Sequence, residues 1–404
     1  MRVKITPGTA SGKIKAPPSK SMAHRMLICA AMCDGVSTVR GISDCEDVQA
    51  TLDCLKALGI RADIEGDTVT VYGKRFCELS ADGPLPCRES GSTLRFLIPP
   101  TLLSGKTTMF TGERGLMSRP MSVYEGLCRA RDMIFITDGD SITVKGPLPS
   151  GEYTVVGNVS SQFISGLLFA LPNLTGDSRI KITPPIESRS YIDMTVEALK
   201  LFGVEAVWEN EYTLYIRGAQ EYKPSDVTVE GDYSGAAFPE ALNLFGSEVS
   251  VTGLNPDSIQ GDRVYKRYYG MLERGVPTLH IGDCPDLGPV LFAVAAGKNG
   301  GIFSGTKRLK IKESDRAAAM AAELKKFGAS VTVYEDKVVV FPAAFHKPKE
   351  PLLGHNDHRI VMSLAILLTV TGGEIVGAEA INKSYPAFFD HLRALGVGVE
   401  EYET

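Results

Sequence analysis

The sequence predicts a mixed α/β (α+β) fold, a two-domain inside-out α/β barrel. It would be built from six βαβαββ repeats, three per domain, with buried helices walled by sheets. Three observations support this prediction. At 404 residues the chain exceeds what one hydrophobic core usually serves. An amphipathic helix followed by glycine and two alternating strands recurs along the chain. Between these copies lie helices that are apolar nearly all round, as expected of buried helices.

The recurring pattern is clearest at residues 51–73, 194–218 and 317–342. Each copy has a short amphipathic helix, a glycine in the C-cap position, and two strands of alternating hydrophobic residues. With the weaker copies included, the marker positions are Gly59, Arg131, Gly203, Gly275, Gly328 and Gly396. The first four markers are separated by equal intervals of 72 residues, which chance would hardly produce. The fourth copy passes from HIGD directly into CPDLGP, so we expect it to lack its second hairpin strand.

A second periodic feature is a small or acidic residue that opens an apolar helix. Such residues are good N-caps, because their side-chain oxygens accept hydrogen bonds from the first N–H groups of a helix. The six candidates are Ser19, Ser90, Ser160, Ser234, Asp286 and Asp357. If these helices point the same way, their positive ends converge on the gap between the domains and form an anion site there.

The helix predicted after Pro17 and Pro18 carries the first candidate binding residues. Lys20, Ser21 and Arg25 fall on its first turn and a half, and Ser21 and Arg25 share one face. Two cations at the positive end of a helix are mildly unfavourable unless an anion lies beside them. The residues alone leave a second interpretation open, which is a pair of solvated cations on a surface helix.

Polar residues also gather at the starts of later helices. Ser160, Ser161 and Gln162 supply two hydroxyls and an amide beside unpaired N–H groups, as in many phosphate sites. A capping serine with a solvated neighbour is the commoner meaning of such a pattern. Gly91 permits close approach of the backbone, and Arg95 follows one turn later, but a lone glycine of this kind is weak evidence.

The segment KESDR says more. Lys312 and Arg316 are four residues apart with like charge, which is unfavourable unless an anion lies between them. Glu313 also suits a helix N-terminus, so a self-compensating surface turn stays possible. Arg359 lies in the first turn of a wholly apolar helix, where a surface role is less expected. Asp286 is either a plain N-cap or a carboxylate held in a cleft, and spacing does not decide between these.

Composition and charge exclude several classes of protein. With 44% hydrophobic and 23% charged residues, the chain has ample material for cores and no sign of global disorder. A net charge of −5 without a basic stripe argues against a nucleic-acid binder. The longest apolar stretch, residues 360–370, is too short to span a bilayer, and the N-terminus lacks an apolar signal segment. We therefore expect a cytoplasmic protein with no membrane partner.

The cysteines and histidines point away from disulfides and metals. The eight cysteines include no C-x-x-C pair, and we expect them to be reduced core thiols. The six histidines show no spacing typical of metal ligands. The sequence therefore predicts neither a metal site nor a cofactor.

Motifs along nearly the whole chain resemble those of the 5-enolpyruvylshikimate-3-phosphate synthase family. They are PSKSMAHR, SGSTLRF, SRPM, SSQFISGLL, SRSYIDMT, GDYSGAA, PDLGP, IKESDR, DHRIVMSLA and NKSYPAFFDHL. The resemblance implies transfer of the enolpyruvyl group of phosphoenolpyruvate to the 5-hydroxyl of shikimate 3-phosphate, with release of phosphate through a tetrahedral intermediate. This is a step of the shikimate pathway, toward chorismate and the aromatic amino acids, in the family targeted by glyphosate.

The resemblance also implies a domain division. Residues 1–14 and 228–404 would form the phosphoenolpyruvate-side domain, which the N-terminal strand crosses over to complete. Residues 15–227 would form the shikimate 3-phosphate-side domain, and the active site would lie in the cleft between the two.

Site residues follow from the same resemblance. For shikimate 3-phosphate they are Ser21, Arg25, Ser160, Ser161, Gln162, Ser188, Tyr191, Asp286 and Lys312. For phosphoenolpyruvate they are Lys20, Gly91, Arg119, Gln162, Arg316, Arg359 and Lys383. The catalytic residues would be Asp286 near the substrate hydroxyl, with Glu313 and Lys20 at the methylene of phosphoenolpyruvate. Both substrates carry a phosphate and a carboxylate, which suits charge-assisted contacts of arginine. Phosphoenolpyruvate and shikimate 3-phosphate are the expected partners. We also expect the protein to be a monomer and to need neither a metal nor a cofactor.

The chain departs from the family pattern at three places. Glu89, Ser90, Gly91 and Ser92 stand where the family usually shows Asn-Ala-Gly-Thr, His24 replaces a commoner asparagine, and the fourth repeat is short. We expect these departures to affect substrate affinity and glyphosate sensitivity more than the class of reaction.

Three other functions compete with this interpretation. They are UDP-N-acetylglucosamine enolpyruvyl transfer, RNA 3′-phosphate cyclisation, and anion binding without catalysis. The motifs SSQF, KESDR and DHR favour the shikimate family, no cysteine lies in a catalytic-loop motif of the nucleotide-sugar family, and no nucleotide motif supports the cyclase. A pure binder has no reason to combine Asp286 and Glu313 with so many cations.

Overall fold

The computed structural model describes residues 1–403 and divides into two compact units. The central unit runs from Lys20 to Glu230, and the split unit combines Met1–Ser19 with the chain from Gly231 onward. The chain therefore leaves and re-enters the split unit a few residues beyond the expected boundaries at 14/15 and 227/228. The reason is backbone pairing, since Pro18 bridges Gly231 and Asp232 N donates to Pro17 O at 2.8 Å.

The described chain opens with β1 (Arg2–Ile5) and β2 (Ser11–Lys15). The central unit then contains α1 (Lys20–Met32), β3 (Gly35–Arg40), α2 (Glu46–Ala57), β4 (Arg61–Glu65), β5 (Thr68–Gly73), β6 (Leu85–Pro86), α3 (Gly91–Leu102), β7 (Thr107–Thr111), α4 (Arg114–Met117), α5 (Ser122–Arg129), β8 (Ile134–Asp138), β9 (Ser141–Lys145), β10 (Glu152–Val156), α6 (Ser161–Ala170), β11 (Ser178–Thr183), α7 (Arg189–Leu201), β12 (Val207–Asn210), β13 (Thr213–Ile216) and β14 (Asp226–Thr228).

The sheets of the central unit, residues 20–230, repeat one topology. Their strand orders are β14-β3-β5-β4, β6-β7-β9-β8 and β10-β11-β13-β12. In each sheet the first two strands are parallel, and the last two form an antiparallel hairpin that pairs with the second strand. The first strand of the first sheet is β14, from the far end of the unit. This order is the predicted βαβαββ repeat, with the first repeat closed by a strand distant in sequence.

The split unit continues after Gly231 with α8 (Tyr233–Ala241), β15 (Glu248–Thr252), α9 (Tyr265–Arg274), β16 (Thr278–His280), α10 (Gly288–Gly297), β17 (Gly301–Ser304), α11 (Arg316–Lys325), β18 (Ser330–Val333), β19 (Lys337–Phe341), β20 (Leu352–Leu353), α12 (His358–Thr371), β21 (Gly373–Val376), α13 (Phe388–Ala394) and β22 (Val399–Tyr402). Short 3₁₀ turns cover Pro285–Leu287, Lys307–Ile311 and Ala378–Lys383.

Two sheets of the split unit follow the same topology, with orders β16-β17-β19-β18 and β20-β21-β1-β22. The N-terminal strand β1 completes the second of these by pairing antiparallel with β21 and β22. The fourth repeat differs from our expectation. Strand β16, which leads into the HIGD motif, pairs in parallel with β17 and so belongs to the fifth repeat. The fourth sheet therefore consists of β2 and β15 within the described chain, and both hairpin strands are missing, because only residues 275–277 separate α9 from β16.

The first helix of each repeat lies in a core. In the central unit α1, α3 and α6 are buried along nearly their whole length, and α3 packs against α6. In the split unit α8, α10 and α12 are equally buried, and α10 packs against α12. The second helix of each repeat, such as α2 or α7, buries only one face. The prediction of buried helices walled by sheets is confirmed, because apolar residues all round a helix leave no face suited to water.

The predicted caps are correct in part. Ser90, Ser160 and Asp357 accept hydrogen bonds from the first backbone N–H groups of α3, α6 and α12. Helix α8 is capped by Asp232, and the expectation for Ser234 was wrong because the helix begins two residues earlier. Asp286 caps no helix, and its carboxylate is bound by side chains instead. Ser19 directly precedes α1.

The markers and cysteines also need correction. Gly59, Gly203, Gly328 and Gly396 have φ between 74° and 95°, as expected of helix C-caps. In the second copy this left-handed residue is Asp132, at φ 54°, rather than the expected Arg131, and Gly275 is extended.

Every cysteine in the described chain is a free thiol, and all are buried except Cys77. No helix within residues 1–403 is both long and apolar enough to cross a membrane.

Candidate active site

The split unit surrounds the carboxylate of Asp286 with cations. Arg316 Nη1 lies 2.8 Å from Oδ1, and Lys312 Nζ lies 3.4 Å from the same oxygen. Arg359 Nη2 lies 3.2 Å from Oδ2. Asp286 reaches this position on the 3₁₀ turn before α10, while Arg316 begins α11 and Arg359 lies in the first turn of α12. Two separate segments thus bring their cations to the carboxylate of a third.

Arg316 is the centre of the cluster and is only 1% exposed. Its Nε donates to Asp357 Oδ2 at 2.9 Å, and its Nη2 lies 2.6 Å from Glu313 Oε2. Asp357 is fully buried, and besides capping α12 it accepts a hydrogen bond from Ser314 Oγ at 3.0 Å. The planar guanidinium is therefore fixed by three carboxylates, which is the arrangement that the fork of arginine donors suits.

Charge pairing outweighs burial in this cluster. Burial opposes ionisation of Asp286, but Arg359, Lys312 and Arg316 together hold its pKa well below the usual range. Burial also opposes the charged form of Arg316, yet Asp357, Glu313 and Asp286 raise its pKa above the usual value. For Lys312 burial prevails and lowers the pKa, although Asp286 acts in the opposite direction. Asp286 is therefore a carboxylate at neutral pH, the state required of a proton acceptor.

Lys383 approaches the same cluster from the 3₁₀ turn after β21. Its side chain is 5% exposed, and Nζ donates to Asn356 O at 2.7 Å. Asn356 directly precedes Asp357, so the lysine ammonium is held beside the start of α12. The structure thus brings together five predicted site residues of the split unit, Asp286, Lys312, Glu313, Arg316 and Arg359, and holds the sixth, Lys383, beside the residue that precedes Asp357.

In the central unit, Arg25 is the corresponding buried cation. It is 2% exposed, and its Nε donates to Thr195 Oγ1 at 2.8 Å. Its Nη1 donates to Ser21 O at 2.6 Å and its Nη2 to Tyr191 O at 2.9 Å. Within residues 1–403 no carboxylate forms an ion pair with Arg25. Burial accordingly lowers the pKa of Arg25 to about 10. A buried cation without a counter-ion is costly, and an anionic ligand would relieve that cost.

A second group forms where α3 and α6 begin. A Cβ at Gly91 would lie 3.0 Å from Arg119 Nη1, 3.4 Å from Arg95 Nη1 and 3.8 Å from Gln162 Oε1, so these polar groups approach the bare backbone. Arg95 Nη1 donates to Gln162 Oε1 at 2.8 Å, and Gln162 Nε2 donates to Ser92 Oγ at 2.9 Å. Arg119 Nε is buried and makes no hydrogen bond within the described chain. Three of the predicted residues, Gly91, Arg119 and Gln162, thus lie together.

Lys20 begins α1, and its Nζ lies 2.7 Å from Asp47 Oδ2 in the first turn of α2. The pairing removes the problem of an isolated cation that its place at a helix N-terminus raised. Asp47 itself is buried, and its backbone carbonyl lies near Thr93 Oγ1. The lysine is therefore held in one position by a neighbouring helix.

The predicted serines are placed by turns. Ser160 precedes α6 and accepts from Gln162 N at 3.3 Å, and Ser161 is buried in the first turn. Ser188 precedes α7 with φ 58°, in the left-handed region. Its loop lies against the loop that precedes α6, since Glu187 N donates to Gly157 O at 3.1 Å. The hydroxyls of these serines are thus carried by two neighbouring loops of the central unit.

Some contacts of the candidate site escaped sequence reasoning. Asp357 was predicted only as a cap, and its second role as the clamp on Arg316 was missed. Asp47 and the partnership of Arg95 with Gln162 were missed as well. Arginine in the motif GSTLR was a usable signal for the second, but no local pattern links Lys20 to a residue 27 positions later. Within residues 1–403, no group of three or more histidine, cysteine or acidic side chains is arranged to hold a metal ion.

The repeated fold and the dense clusters of arginine, lysine and carboxylate side chains suit an enzyme that acts on anionic substrates. A family model described as EPSP synthase (3-phosphoshikimate 1-carboxyvinyltransferase) matches residues 5–392. The chain belongs to the EPSP synthase family.

Similar proteins agree with this assignment. A 3-phosphoshikimate 1-carboxyvinyltransferase of Clostridium kluyveri is 38% identical over 428 aligned residues, which cover 99% of this chain and 98% of the relative. One from Clostridium perfringens is 38% identical over 423 residues and covers 98% of both chains. In fold the chain is similar to an EPSP synthase of Acinetobacter baumannii, solved at 2.37 Å, with a TM-score of 0.80 and 22% identity over 99% of this chain and 100% of that one.

Proposed function

We propose that this chain transfers the enolpyruvyl group of phosphoenolpyruvate to the 5-hydroxyl of shikimate 3-phosphate and releases phosphate. Membership of the EPSP synthase family over residues 5–392 supports the reaction. The observation that carries the substrate assignment is Arg25. This arginine is 2% exposed, has no carboxylate partner within the described chain, and lies against Tyr191 and Ser21. A carboxylate of the substrate would supply the missing negative charge.

The other residues divide by the charge that each would meet. Arg25, Ser21, Tyr191, Ser160, Ser161, Ser188, Gln162, Asp286 and Lys312 are proposed to bind shikimate 3-phosphate. Lys20, Gly91, Arg119, Gln162, Arg316, Arg359 and Lys383 are proposed to bind phosphoenolpyruvate. The expectation that both sets line one cleft stays a prediction, as do the cytoplasmic location and the monomeric state.

Asp286 is proposed as the acceptor of the proton from the 5-hydroxyl. As that proton leaves, the hydroxyl oxygen bonds to C2 of phosphoenolpyruvate, and the methylene carbon takes a proton from Glu313 or Lys20. The resulting tetrahedral intermediate then returns a proton from its methyl group to the residue that donated it, and the C–O bond to phosphate breaks. The proton held by Asp286 leaves with the phosphate, so the carboxylate is regenerated. Cations at the departing phosphate stabilise the charge that develops there.

The ion pairs around Asp286 suggest when it becomes basic. In the unliganded cluster Arg316, Arg359 and Lys312 all neutralise its charge and depress its pKa. Arg316 and Arg359 are also proposed to bind the anionic groups of phosphoenolpyruvate. Once Arg316 and Arg359 share their charge with that ligand, the carboxylate of Asp286 becomes a stronger base than it is in the unliganded cluster. Binding of the second substrate would thus prepare the proton acceptor.

The experiment is a measurement of phosphate release from phosphoenolpyruvate with shikimate 3-phosphate, in the presence of EDTA, with UDP-N-acetylglucosamine as the parallel acceptor. We expect release with shikimate 3-phosphate alone. Release with the nucleotide sugar alone would move the assignment to the related transferase, and no release from folded protein would favour a binding protein. The variant Asp286→Asn should lower kcat by about a thousandfold, while near wild-type turnover would remove Asp286 from its role.

A further inference from the structure

The turn before α12 has a strained backbone. His355 and Asn356 both have positive φ, at 50° and 53°, and Asp357 N donates to Gly354 O at 2.9 Å to close the turn. Two consecutive left-handed residues of this kind form a turn that normally contains glycine. Asparagine tolerates this region, but the side chain of His355 pays a steric penalty there, and its conformation persists only when its surroundings hold it.

The holding group is Glu323, near the end of α11. Its carboxylate is 1% exposed and meets the turn at two points. Oε1 lies 2.9 Å from His355 Nε2, and Oε2 accepts from Leu353 N at 3.0 Å. Lys326 Nζ, at 3.0 Å from Oε2, supplies the balancing charge. Glu323 therefore fixes both the strand that enters the turn and the side chain at its first left-handed position.

The turn of residues 354–357 also positions two groups of the candidate site. Asn356 O accepts from Lys383 Nζ at 2.7 Å. Asp357 follows at once and accepts from Arg316 Nε at 2.9 Å. Glu323 and Arg316 share helix α11, so one helix carries both the clamped arginine and the acid that shapes the turn against it. A change of backbone at His355 and Asn356 would rotate the Asn356 carbonyl away from Lys383.

We propose that Glu323 and His355 are positioning residues, which hold the Gly354–Asp357 turn so that Lys383 and Arg316 are presented to the anionic groups of phosphoenolpyruvate. Neither residue touches the substrate in this proposal. The identity of that ligand rests on the proposed function. The positioning itself rests on the buried carboxylate, the left-handed turn and the contacts that leave it.

The test compares His355→Asn with Glu323→Gln in steady-state kinetics. Asparagine tolerates the left-handed backbone but is too short to reach Glu323, so it removes the contact without adding strain. Each variant should raise the KM for phosphoenolpyruvate by about tenfold, with kcat reduced less and the KM for shikimate 3-phosphate unchanged. Because the two residues act as a pair, the double variant should lose no more than the worse single one. The matched control is His346→Asn, an exposed histidine in the same unit.

The outcomes separate this inference from the proposed function. Unchanged KM values, or equal losses for both substrates, would overturn the positioning role. If a variant folds poorly, His355→Gly keeps the turn free of strain and must give the same selective rise in KM. Should the wild-type protein release no phosphate, the proposed function fails, and the turn is then followed by amide hydrogen exchange in residues 354–359. Faster exchange in His355→Asn than in His346→Asn would support the turn-holding role, and equal exchange would refute it.

Discussion

Arg316 and Arg25 are both arginines with almost no exposed surface, one in each unit, but their surroundings are opposite. Arg316 is bound by the carboxylates of Asp286, Glu313 and Asp357. Arg25 is bound by two backbone carbonyls and a threonine hydroxyl. The pKa of Arg316 is raised by its partners, whereas burial lowers the pKa of Arg25 to about 10.

The two buried arginines therefore have different roles. The cluster around Arg316 balances its own charges, so it contributes to folding and gives up part of its pairing when a ligand arrives. Arg25 has no carboxylate partner in the described chain, so its burial is unfavourable in the free protein. A bound anion would offset this desolvation cost and thereby bind more tightly. Removing the same side chain should therefore have different consequences in the two units.

The largest effect is expected from Arg316→Met. The substitution leaves Asp286, Glu313 and the fully buried Asp357 without their shared cation, so we expect a loss of about 3–5 kcal/mol in the free energy of unfolding. The free energy of unfolding of the split unit is measured by urea denaturation, with hydrogen exchange of the amides of α10 as the probe. The control Arg267→Met removes an exposed arginine of α9 and should change stability by about 0.5 kcal/mol or less. Equal effects of the two variants would mean that the cluster contributes nothing to folding.

Arg25→Met should affect binding instead. No carboxylate of the described chain is left unpaired, so the stability of the central unit should change by about 1 kcal/mol or less. The affinity for shikimate 3-phosphate should fall about a hundredfold, because a charged contact with the ligand is lost. Titration calorimetry measures the affinity, and the fluorescence of Trp208, the one tryptophan of the sequence, follows unfolding of the central unit. A large loss of stability with unchanged affinity would reverse the comparison.

The two units should also respond differently to acid. Burial, with smaller contributions from Lys20 and Arg25, lowers the pKa of His24 well below 6.5, so the folded state keeps this ring neutral. The unfolded chain takes up a proton first, and stability falls by about 1.4 kcal/mol for each pH unit below 6.5. The depressed pKa of Asp286 gives stability that is complete above about pH 4 and is lost as the pH falls further.

His24→Asn tests this difference between pH 6.5 and 5.5. Asparagine can still meet Thr51, whose Oγ1 lies 2.8 Å from His24 Nδ1, but it carries no titrating group. The free energy of unfolding, followed by the fluorescence of Trp208, should depend less on pH in the variant than in the wild type. The same slope in variant and wild type would assign the acid sensitivity to other groups.

The smallest effect concerns two serines that look alike in the sequence. Ser90 caps α3 through Thr93 N at 3.2 Å, so Ser90→Ala should cost about 1 kcal/mol. Ser234 lies inside α8, whose cap is Asp232, so Ser234→Ala should change stability by less than about 0.5 kcal/mol. Thermal unfolding of both variants provides the comparison, and equal costs would mean that the capping bond carries no weight.

Much of the fold could be predicted from the sequence, because its signals are local. The spacing of apolar residues in a helix and the alternation in a strand depend on neighbours within a few positions, and these patterns predicted the repeat and the buried helices. The cations at the starts of α1, α11 and α12 were found in the same way, since a charge in a first helical turn is visible without tertiary contacts.

The tertiary structure alone decided which distant segments meet. Strand β14 closes the first repeat and β16 serves the fifth repeat rather than the fourth, whereas the crossover of β1 was already expected from the family resemblance. Asp286 binds Arg359 from 73 positions away instead of capping a helix, and Lys20 pairs with Asp47. Such pairings depend on how sheets and buried helices bring separate segments together, and the energy of one ion pair leaves no local pattern in the chain. The sequence by itself therefore determined the elements and the kinds of charge, and only the packing of those elements decided which charges balance one another.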